Sequence, residues 1–348
     1  MDPLLLRDQH QPPPGGLLHH LLVLRPPQPL LLHRAHLPAQ KPQEGLQPTV
    51  HLVQQDPHPL SLACRVKIPA GFPSWGNRYK RARGRKQGVG VVPYQEVGGL
   101  KLFYVREGEG FPVYLLHGAA LTHHLWKPQL EALRGRYSAV APDLPGHGRS
   151  DPLPSPSPSI RDYSEAVAGL MEALGTEEAA VVGHSMGGAV ALQLALDHPE
   201  KVRALVLANT GAKLGVSPLL LQVLRENFRG AMEVGWNSML GGKGRRREGE
   251  LRGLEEELKR TRPEVGLADF EACDAFDCRA RLSEIKKPVL IVGGRDDTLT
   301  PPWYQEYLHQ RLEGSSLVIL REVGHLSMAE DPSSFNSALL DFLGRALP

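Results

Sequence analysis

The chain is 348 residues long, with 41% hydrophobic and 22% charged residues, a composition that excludes collagen, coiled coils and acidic disordered chains. No apolar run approaches the ~18 residues that a transmembrane helix needs, so we expect no membrane attachment. The formal net charge of +2 conceals two parts of opposite sign. Residues 1–90 hold 12 Lys and Arg against 4 Asp and Glu, whereas the remainder holds 28 against 34.

Residues 1–90 lack the pattern of a folded domain. They contain 14 of the 31 prolines and 7 of the 15 histidines, and their short leucine runs are interrupted before a helical period can develop. We therefore predict a disordered basic extension, and the abrupt change near Val92 leads to the hypothesis that this extension is not native. The basic run 78–86 is typical either of nucleic-acid contact or of a solvated tail, and we favour the tail.

From Val92 onward, strands alternate with helices. After a hairpin at Gly98-Gly99, apolar strands are predicted at residues 112–116, 137–142, 179–183, 202–208, 289–292 and 317–320, and helices at 159–174, 187–198, 302–312 and 331–347. Strands that are apolar along their whole length indicate a parallel sheet with helices on both faces. Residues 212–287 interrupt the alternation with helical patterns. We expect a core of residues 91–211 and 288–348, with a helical cap insertion over the carboxyl ends of the strands.

The sequence Gly183-His184-Ser185-Met186-Gly187 follows an apolar strand and precedes a helix rich in small residues. A G-x-S-x-G sequence in this context forms a sharp turn that exposes the serine oxygen at the strand end. The following helix directs backbone N–H groups and its positive dipole end towards developing negative charge. The pattern favours Ser185 as a nucleophile over the alternative of a glycine-rich turn with an incidental serine.

A serine nucleophile requires a base, and the base requires an orienting acid. In this arrangement the chain order is serine, acid, histidine. Asp296 and Asp297 follow the strand at 289–292, and His325 follows the next strand. The residues therefore predict Ser185, His325 and either Asp297 or Asp296 as a catalytic triad, whereas His309 falls inside a predicted helix.

The predicted oxyanion hole combines two backbone N–H donors. One belongs to Met186, after the nucleophile, and the other to Ala119 or, as an alternative, Ala120 in the loop after the strand at 112–116. Candidate pocket residues are His117 and His184 beside these loops and Trp236 and Met239 in the cap. The alternative for all four is simple packing.

The odd cysteine count, with Cys64, Cys273 and Cys278, is typical neither of a disulfide framework nor of a zinc site. We predict no metal site and no cofactor, and ordinary thiols in a reducing, cytoplasmic location.

These motifs resemble those of the α/β-hydrolase superfamily, in particular its capped esterase, enol-lactonase and C–C hydrolase branch. The resemblance runs from about Val92 to Pro348. It covers His117-Gly118, the loop 143–150 of D-x-x-G-x-G-x-S type, the G-x-S-x-G turn, the acid turn 294–301 and Gly324-His325. It implies an α/β-hydrolase fold with a small helical cap, a structural role for the loop 143–150, and Asp297 rather than Asp296 as the acid.

The sequence therefore predicts a serine hydrolase that cleaves a small carboxylic ester through an acyl-enzyme. The alternatives are a lactonase or C–C hydrolase with the same triad, and a non-catalytic ligand-binding protein on the same scaffold. We expect a small-molecule ester or lactone as the partner, and no nucleic acid bound by the core. The sequence does not specify the oligomeric state.

Overall fold

A computed structural model describes residues 94–347 of the chain. The predictions for residues 1–90, including the basic run and Cys64, lie outside the described residues. Within the described range, no helix has both the length and the apolar character needed to cross a bilayer.

Eight strands form one sheet in the order β1-β2-β4-β3-β5-β6-β7-β8. The strands are β1 (Tyr94–Val97), β2 (Leu100–Glu107), β3 (Phe111–Leu116), β4 (Tyr137–Pro142), β5 (Ala179–His184), β6 (Val202–Ala208), β7 (Val289–Gly294) and β8 (Ser316–Leu320). β2 pairs antiparallel with β1 and β4, and all other neighbouring strands are parallel. Every residue of β4, β5 and β7 is buried, as expected for strands covered on both faces.

Ten α-helices accompany the sheet in residues 94–347. They are α1 (Lys127–Leu133), α2 (Ile160–Ala173), α3 (Met186–Asp197), α4 (Pro218–Met239), α5 (Gly242–Arg246), α6 (Glu248–Arg260), α7 (Pro263–Ala275), α8 (Pro302–Arg311), α9 (Ser327–Glu330) and α10 (Pro332–Ala346). The pair α1 and α10 packs on one face of the sheet, and the pair α2 and α3 packs on the other. The layered α/β architecture expected from the alternation is confirmed.

Local sequence explains where several helices begin. Ser159 starts α2 with a capping box, in which its hydroxyl accepts from the Asp162 N–H and the Asp162 carboxylate accepts from the Ser159 N–H. The side chain of Asp331 caps α10, whose first residue is Pro332. The sequence analysis missed α1 and α9, which are short and have no side-chain cap, although α1 has Pro128 in its first turn.

Helices α4–α7 form the insertion between β6 and β7. Its two ends lie side by side, because Lys213 and Asp277 form an isolated antiparallel bridge and the Cys278 N–H donates to the Ala212 carbonyl at 2.8 Å. Asn227 interrupts α4 with non-helical backbone angles, and α4 packs against both α6 and α7. The insertion is thus closed at its base and folds back over the carboxyl ends of the strands.

Candidate active site

The carboxyl ends of the parallel strands bring five distant residues to one edge of the sheet. Ala119 follows β3, Ser185 follows β5, Asn209 follows β6, Asp297 follows β7 and His325 follows β8. Residues beyond the carboxyl ends of adjacent parallel strands are neighbours in space, which is where open α/β sheets bind ligands. The predicted catalytic residues therefore meet at this edge.

Ser185 lies in the turn between β5 and α3 with a φ of +52°, in the left-handed region that side chains rarely adopt. Glycines make this turn possible. A Cβ on Gly183 would lie 2.2 Å from the Gly187 carbonyl oxygen, and one on Gly187 would lie 2.3 Å from the Leu116 carbonyl oxygen. The strained turn exposes the Ser185 side chain at the start of α3.

Asp297 and His325 form a buried pair beside Ser185. The Asp297 Oδ2 lies 2.9 Å from the His325 Nδ1 and also accepts hydrogen bonds from the Asn209 amide at 2.8 Å and the Thr300 hydroxyl at 2.7 Å. The Asp297 Oδ1 accepts from the backbone N–H groups of Leu299 at 2.9 Å and Thr300 at 3.0 Å. These contacts fix the carboxylate, and the carboxylate in turn fixes the histidine ring.

The charge of Asp297 is retained although the side chain is buried. Burial alone would raise the pKa of Asp297, but the neighbouring His325 and the hydrogen bonds from Asn209 and Thr300 outweigh burial and lower it. Asn209 has a φ of +47°, and its amide oxygen accepts from the Ser327 hydroxyl at 2.5 Å. Asn209 cannot be the anionic residue of a triad, but it orients the residue that can.

The side chain of Asp296 has a different environment from that of Asp297. Its side chain is exposed, and its Oδ2 accepts only a long hydrogen bond of 3.3 Å from the Gly242 N–H at the edge of the insertion. Of the two carboxylates that the residues alone left open, Asp297 is the one in contact with His325.

Glu330 holds the loop that carries His325. Its buried carboxylate accepts hydrogen bonds from the N–H groups of Gly324 at 3.0 and 3.1 Å, Leu326 at 3.0 Å and Gly241 at 2.8 Å. Burial raises the pKa of Glu330 in spite of these three donors. Because Gly324 and Leu326 flank His325, one side chain fixes the backbone on both sides of the ring.

Two backbone N–H groups are available beside Ser185. Met186 is the first residue of α3, so its N–H has no partner within the helix. Ala119 borders the same cavity as Ser185. The N–H of Ala120, the alternative donor, is engaged by the Asp269 Oδ2 at 2.9 Å and is therefore already hydrogen-bonded.

A small cavity of about 40 Å³ is bordered by both Ser185 and His325. Its wall is almost wholly apolar and comes largely from the insertion. The residues that line it are Ala119, Ser185, Leu214, Val216, Leu220, Met232, Gly235, Met239, Phe270, Cys273, Leu299 and His325. Met239, expected in the pocket, is among them. Burial keeps Cys273 protonated by raising the pKa of its thiol well above the usual value.

His117, by contrast, does not line this cavity. Its Nδ1 lies 2.9 Å from the Gly118 carbonyl oxygen and its Nε2 accepts from the Leu144 N–H at 2.9 Å. Burial, followed by the neighbouring His147, lowers the pKa of His117 to about 3. The neutral His117 ring connects two loops, because each of its nitrogens is hydrogen-bonded to a backbone group.

His184 and Trp236 are also outside the cavity wall. The His184 Nε2 lies 3.0 Å from the His325 carbonyl oxygen, and a Cβ on Gly118 would lie 2.7 Å from the His184 Nδ1. Trp236 is buried within α4 and is not among the residues that line the cavity. Of the four expected pocket residues, only Met239 borders the space beside Ser185, since the other three are used to pack or connect loops.

The loop 143–150 is held together by Asp143. Its carboxylate accepts from the His123 backbone N–H at 2.9 Å and the Arg149 N–H at 3.0 Å, and it lies 2.7 Å from the His123 Nδ1. Burial would raise the pKa of Asp143, but the bond and charge of His123 lower it. A Cβ on Gly148 would lie 2.2 Å from the Asp143 Oδ2, so the loop can close only over glycine. These contacts are structural, as the resemblance implied.

A sequence model described as the alpha/beta hydrolase fold matches residues 112–332. The chain belongs to the α/β-hydrolase family. The match spans more than half of the chain and includes Ser185, Asp297 and His325. The predicted family and fold are therefore confirmed.

Named relatives and solved structures of this family agree. The putative carbamate hydrolase RutD of Azorhizobium caulinodans is 30% identical over 264 residues, covering 73% of this chain and 98% of that protein. A pimeloyl-[acyl-carrier protein] methyl ester esterase of Neisseria meningitidis is 30% identical over 243 residues, covering 66% and 93%. The enol-lactonase of Burkholderia xenovorans LB400 superposes with a TM-score of 0.69 at 28% identity, covering 72% and 100%. The expectation of a hydrolase is thus confirmed.

Proposed function

We propose that this α/β-hydrolase is a serine esterase that cleaves small, uncharged carboxylic esters through an acyl-enzyme. One observation carries the proposal. Ser185, in a strand-to-helix turn with a positive φ, borders the same cavity as His325, and the His325 Nδ1 is hydrogen-bonded to the buried carboxylate of Asp297.

The geometry supports a two-step mechanism. Because the Nδ1 of His325 lies against Asp297, the Nε2 is the nitrogen left to take the Ser185 proton. The Ser185 oxygen attacks the ester carbonyl, and the N–H groups of Ala119 and Met186 stabilise the oxyanion. His325 then protonates the leaving alcohol. Water, deprotonated by His325, attacks the acyl-enzyme, and the carboxylic acid is released as His325 returns the proton to the departing Ser185 oxygen.

The size and lining of the cavity favour an ester with a small, uncharged acyl group. Its volume of about 40 Å³ corresponds to roughly three water-sized spheres, and apart from Ser185 and His325 its lining side chains are uncharged and mostly aliphatic or aromatic. A carboxylate on the acyl chain would be buried there without a partner, at a large cost in free energy. We therefore expect acetyl to butyryl esters to react best.

The names of the relatives are compatible with this chemistry. They include a methyl ester esterase and an enol-lactonase, and a lactone is a cyclic ester. The same triad could open a lactone ring, so lactones of matching size are the second substrate class to assay.

The test is hydrolysis of p-nitrophenyl esters from acetate to palmitate by the wild-type chain, Ser185→Ala and Ser155→Ala. Ser155 is an exposed loop serine and serves as the matched control. We expect Ser185→Ala to lower kcat on the order of 10³-fold or more, Ser155→Ala to be unchanged, and the acyl optimum to lie at four carbons or fewer. Full activity of Ser185→Ala would refute the mechanism, and an optimum at palmitate would refute the assignment of the pocket.

A further inference from the structure

A second buried group of polar residues lies next to the active site, on the side of the insertion. Asp269 in α7 is fully buried, and its carboxylate has three partners from the core. The Oδ2 accepts from the Ala120 N–H at 2.9 Å and lies 2.7 Å from the His147 Nε2, whereas the Oδ1 accepts from the Tyr163 hydroxyl at 2.8 Å. The ester mechanism uses none of these four residues.

Asp269 and His147 form a close buried pair, in which the His147 Nε2 lies 2.7 Å from the Asp269 Oδ2. The His147 Nδ1 faces the Pro145 carbonyl oxygen at 3.1 Å while its Nε2 faces Asp269, so both ring nitrogens face acceptors. Only an imidazolium can donate to both. Burial lowers the pKa of His147, but the negative charge of Asp269 and the bond to it raise the pKa by more. Each member of this buried pair has further hydrogen-bond partners, which stabilise it.

The insertion also binds the carbonyl group of Ala120. The hydroxyl of Thr261, between α6 and α7, donates to the Ala120 carbonyl oxygen at 2.7 Å. Ala120 has a φ of +57°, a conformation that an alanine holds only when its surroundings impose it. Asp269 accepts from the Ala120 N–H and Thr261 donates to the Ala120 carbonyl, and these two hydrogen bonds impose this conformation.

We propose that Asp269 and Thr261 are positioning residues that act on the oxyanion hole through Ala120. The Ala120 N–H belongs to the peptide that joins Ala119 to Ala120, so its bond to Asp269 holds the carbonyl end of Ala119, the residue whose own N–H is the proposed oxyanion donor. The insertion therefore contributes to transition-state stabilisation as well as to the pocket wall. The inference rests on the proposed function, because it assigns a role in the same esterase mechanism.

The physical consequence is a loss in kcat and not in substrate affinity. An oxyanion donor stabilises the tetrahedral intermediate more than the bound ester. When Asp269 is replaced, the Ala119 N–H remains present but is no longer held in direction. We expect kcat to fall on the order of 10- to 100-fold, less than the 10²- to 10³-fold that follows complete removal of a donor. The KM is expected to change by less than about twofold.

The experiment compares Asp269→Asn and Thr261→Val with the wild-type full-length chain, using p-nitrophenyl acetate and a short trifluoromethyl ketone. The ketone forms a hemiketal oxyanion on Ser185, so its affinity depends on the oxyanion hole. We expect Asp269→Asn to weaken ketone binding by the same factor as its loss in kcat/KM. Thr261→Val is expected to lose about 3- to 10-fold in both, because one of the two bonds to Ala120 remains.

The matched control is Glu271→Gln in the same helix. Glu271 pairs with Arg225 of α4 at 2.6 Å near the surface, and it touches neither Ala120 nor the cavity. Its kcat, KM and ketone affinity are expected to stay at wild-type values. Tyr163→Phe removes a different donor to Asp269 and is expected to lower the Tm without lowering kcat more than about twofold.

The possible outcomes separate the two proposals. If the wild-type chain hydrolyses the ester and Ser185→Ala does not, but both Asp269→Asn and Thr261→Val retain kcat and ketone affinity, the positioning role is overturned and the esterase stands. If Asp269→Asn does not fold, Thr261→Val alone decides, because its side chain is only partly buried and nearly isosteric. If Ser185→Ala remains active, the proposed function itself fails.

Discussion

The core and the insertion contribute to the site in different ways. The core supplies the proposed reacting groups at the ends of its strands, including Ser185 in its strained turn and the pair of Asp297 with His325. The insertion supplies apolar side chains from α4 and α7 and two polar contacts to Ala120. The comparison teaches that chemistry is set by a few positions with strict backbone requirements, whereas substrate size is set by many exchangeable apolar contacts.

The largest effect is expected for Asp297→Asn in the core. The variant keeps the shape but favours the wrong tautomer of His325, so kcat should fall on the order of 10³- to 10⁴-fold. Asp296→Asn is the matched control, because its carboxylate is exposed and does not contact His325. Steady-state kinetics on p-nitrophenyl acetate measure both. Equal losses in the two variants would contradict the assignment of the acid.

The second effect concerns the His325 loop of the core, which Glu330 also connects to Gly241 of the insertion. Glu330→Gln leaves one acceptor oxygen for three N–H groups, so we expect the free energy of unfolding to fall by about 2 kcal/mol and kcat to fall on the order of tenfold. Urea denaturation and ester kinetics measure the two quantities. Glu322→Gln, which breaks only an exposed pair with Arg246, is the control. An unchanged kcat in Glu330→Gln would contradict this prediction, because the His325 loop would then keep its conformation without the Glu330 carboxylate.

A smaller effect is expected for the wall that the insertion provides. Leu220→Ala should enlarge the cavity and raise kcat/KM for hexanoate esters about 3- to 10-fold relative to acetate, at a cost of about 2–4 kcal/mol in stability. Leu219→Ala is the control, since Leu219 is the neighbour in α4 and is 46% exposed. If the two variants have the same chain-length profile, Leu220 does not limit the pocket.

The smallest effect is a pH dependence of stability at the contact between the two regions. Because the pKa of His147 is raised above its ordinary value of 6.5, the imidazolium stabilises the fold fully below about pH 6.5, and this is lost as the pH rises through the folded pKa. The groups that face it are Asp269, Asp143 and the neutral His117. The Tm of the wild type should fall more between about pH 6 and pH 9 than the Tm of His147→Gln. Parallel profiles would contradict an imidazolium at this position.

The sequence predicted the core well because its signals are local. The strands at 137–142 and 202–208 coincide with β4 and β6, and Ser159 caps α2. Buried parallel strands and helix caps depend on a few adjacent residues, so a single sequence contains them. The order of Ser185, Asp297 and His325 along the chain was likewise sufficient to bring them to one edge of the sheet.

The contacts across the chain could not be predicted in the same way. Asp269 contacts Ala120, His147 and Tyr163, which are separated from it by 149, 122 and 106 positions along the chain. Nothing in the sequence on either side of Asp269 distinguishes it from other carboxylates. His117 and His184 were expected in the pocket because they flank the predicted loops, but their ring nitrogens bind backbone groups instead. Side-chain direction depends on partners that only the folded chain brings together.

The most direct test of the central claim is to trap the acyl-enzyme. The wild-type chain is mixed with p-nitrophenyl butyrate, quenched with acid within milliseconds and digested for peptide mass spectrometry. The account predicts a butyryl group on the peptide that contains Ser185, with a burst of nitrophenol of matching amplitude and no such group in Ser185→Ala. Ester turnover with the butyryl group on another residue, or with no acylated peptide at any quench time, would contradict it.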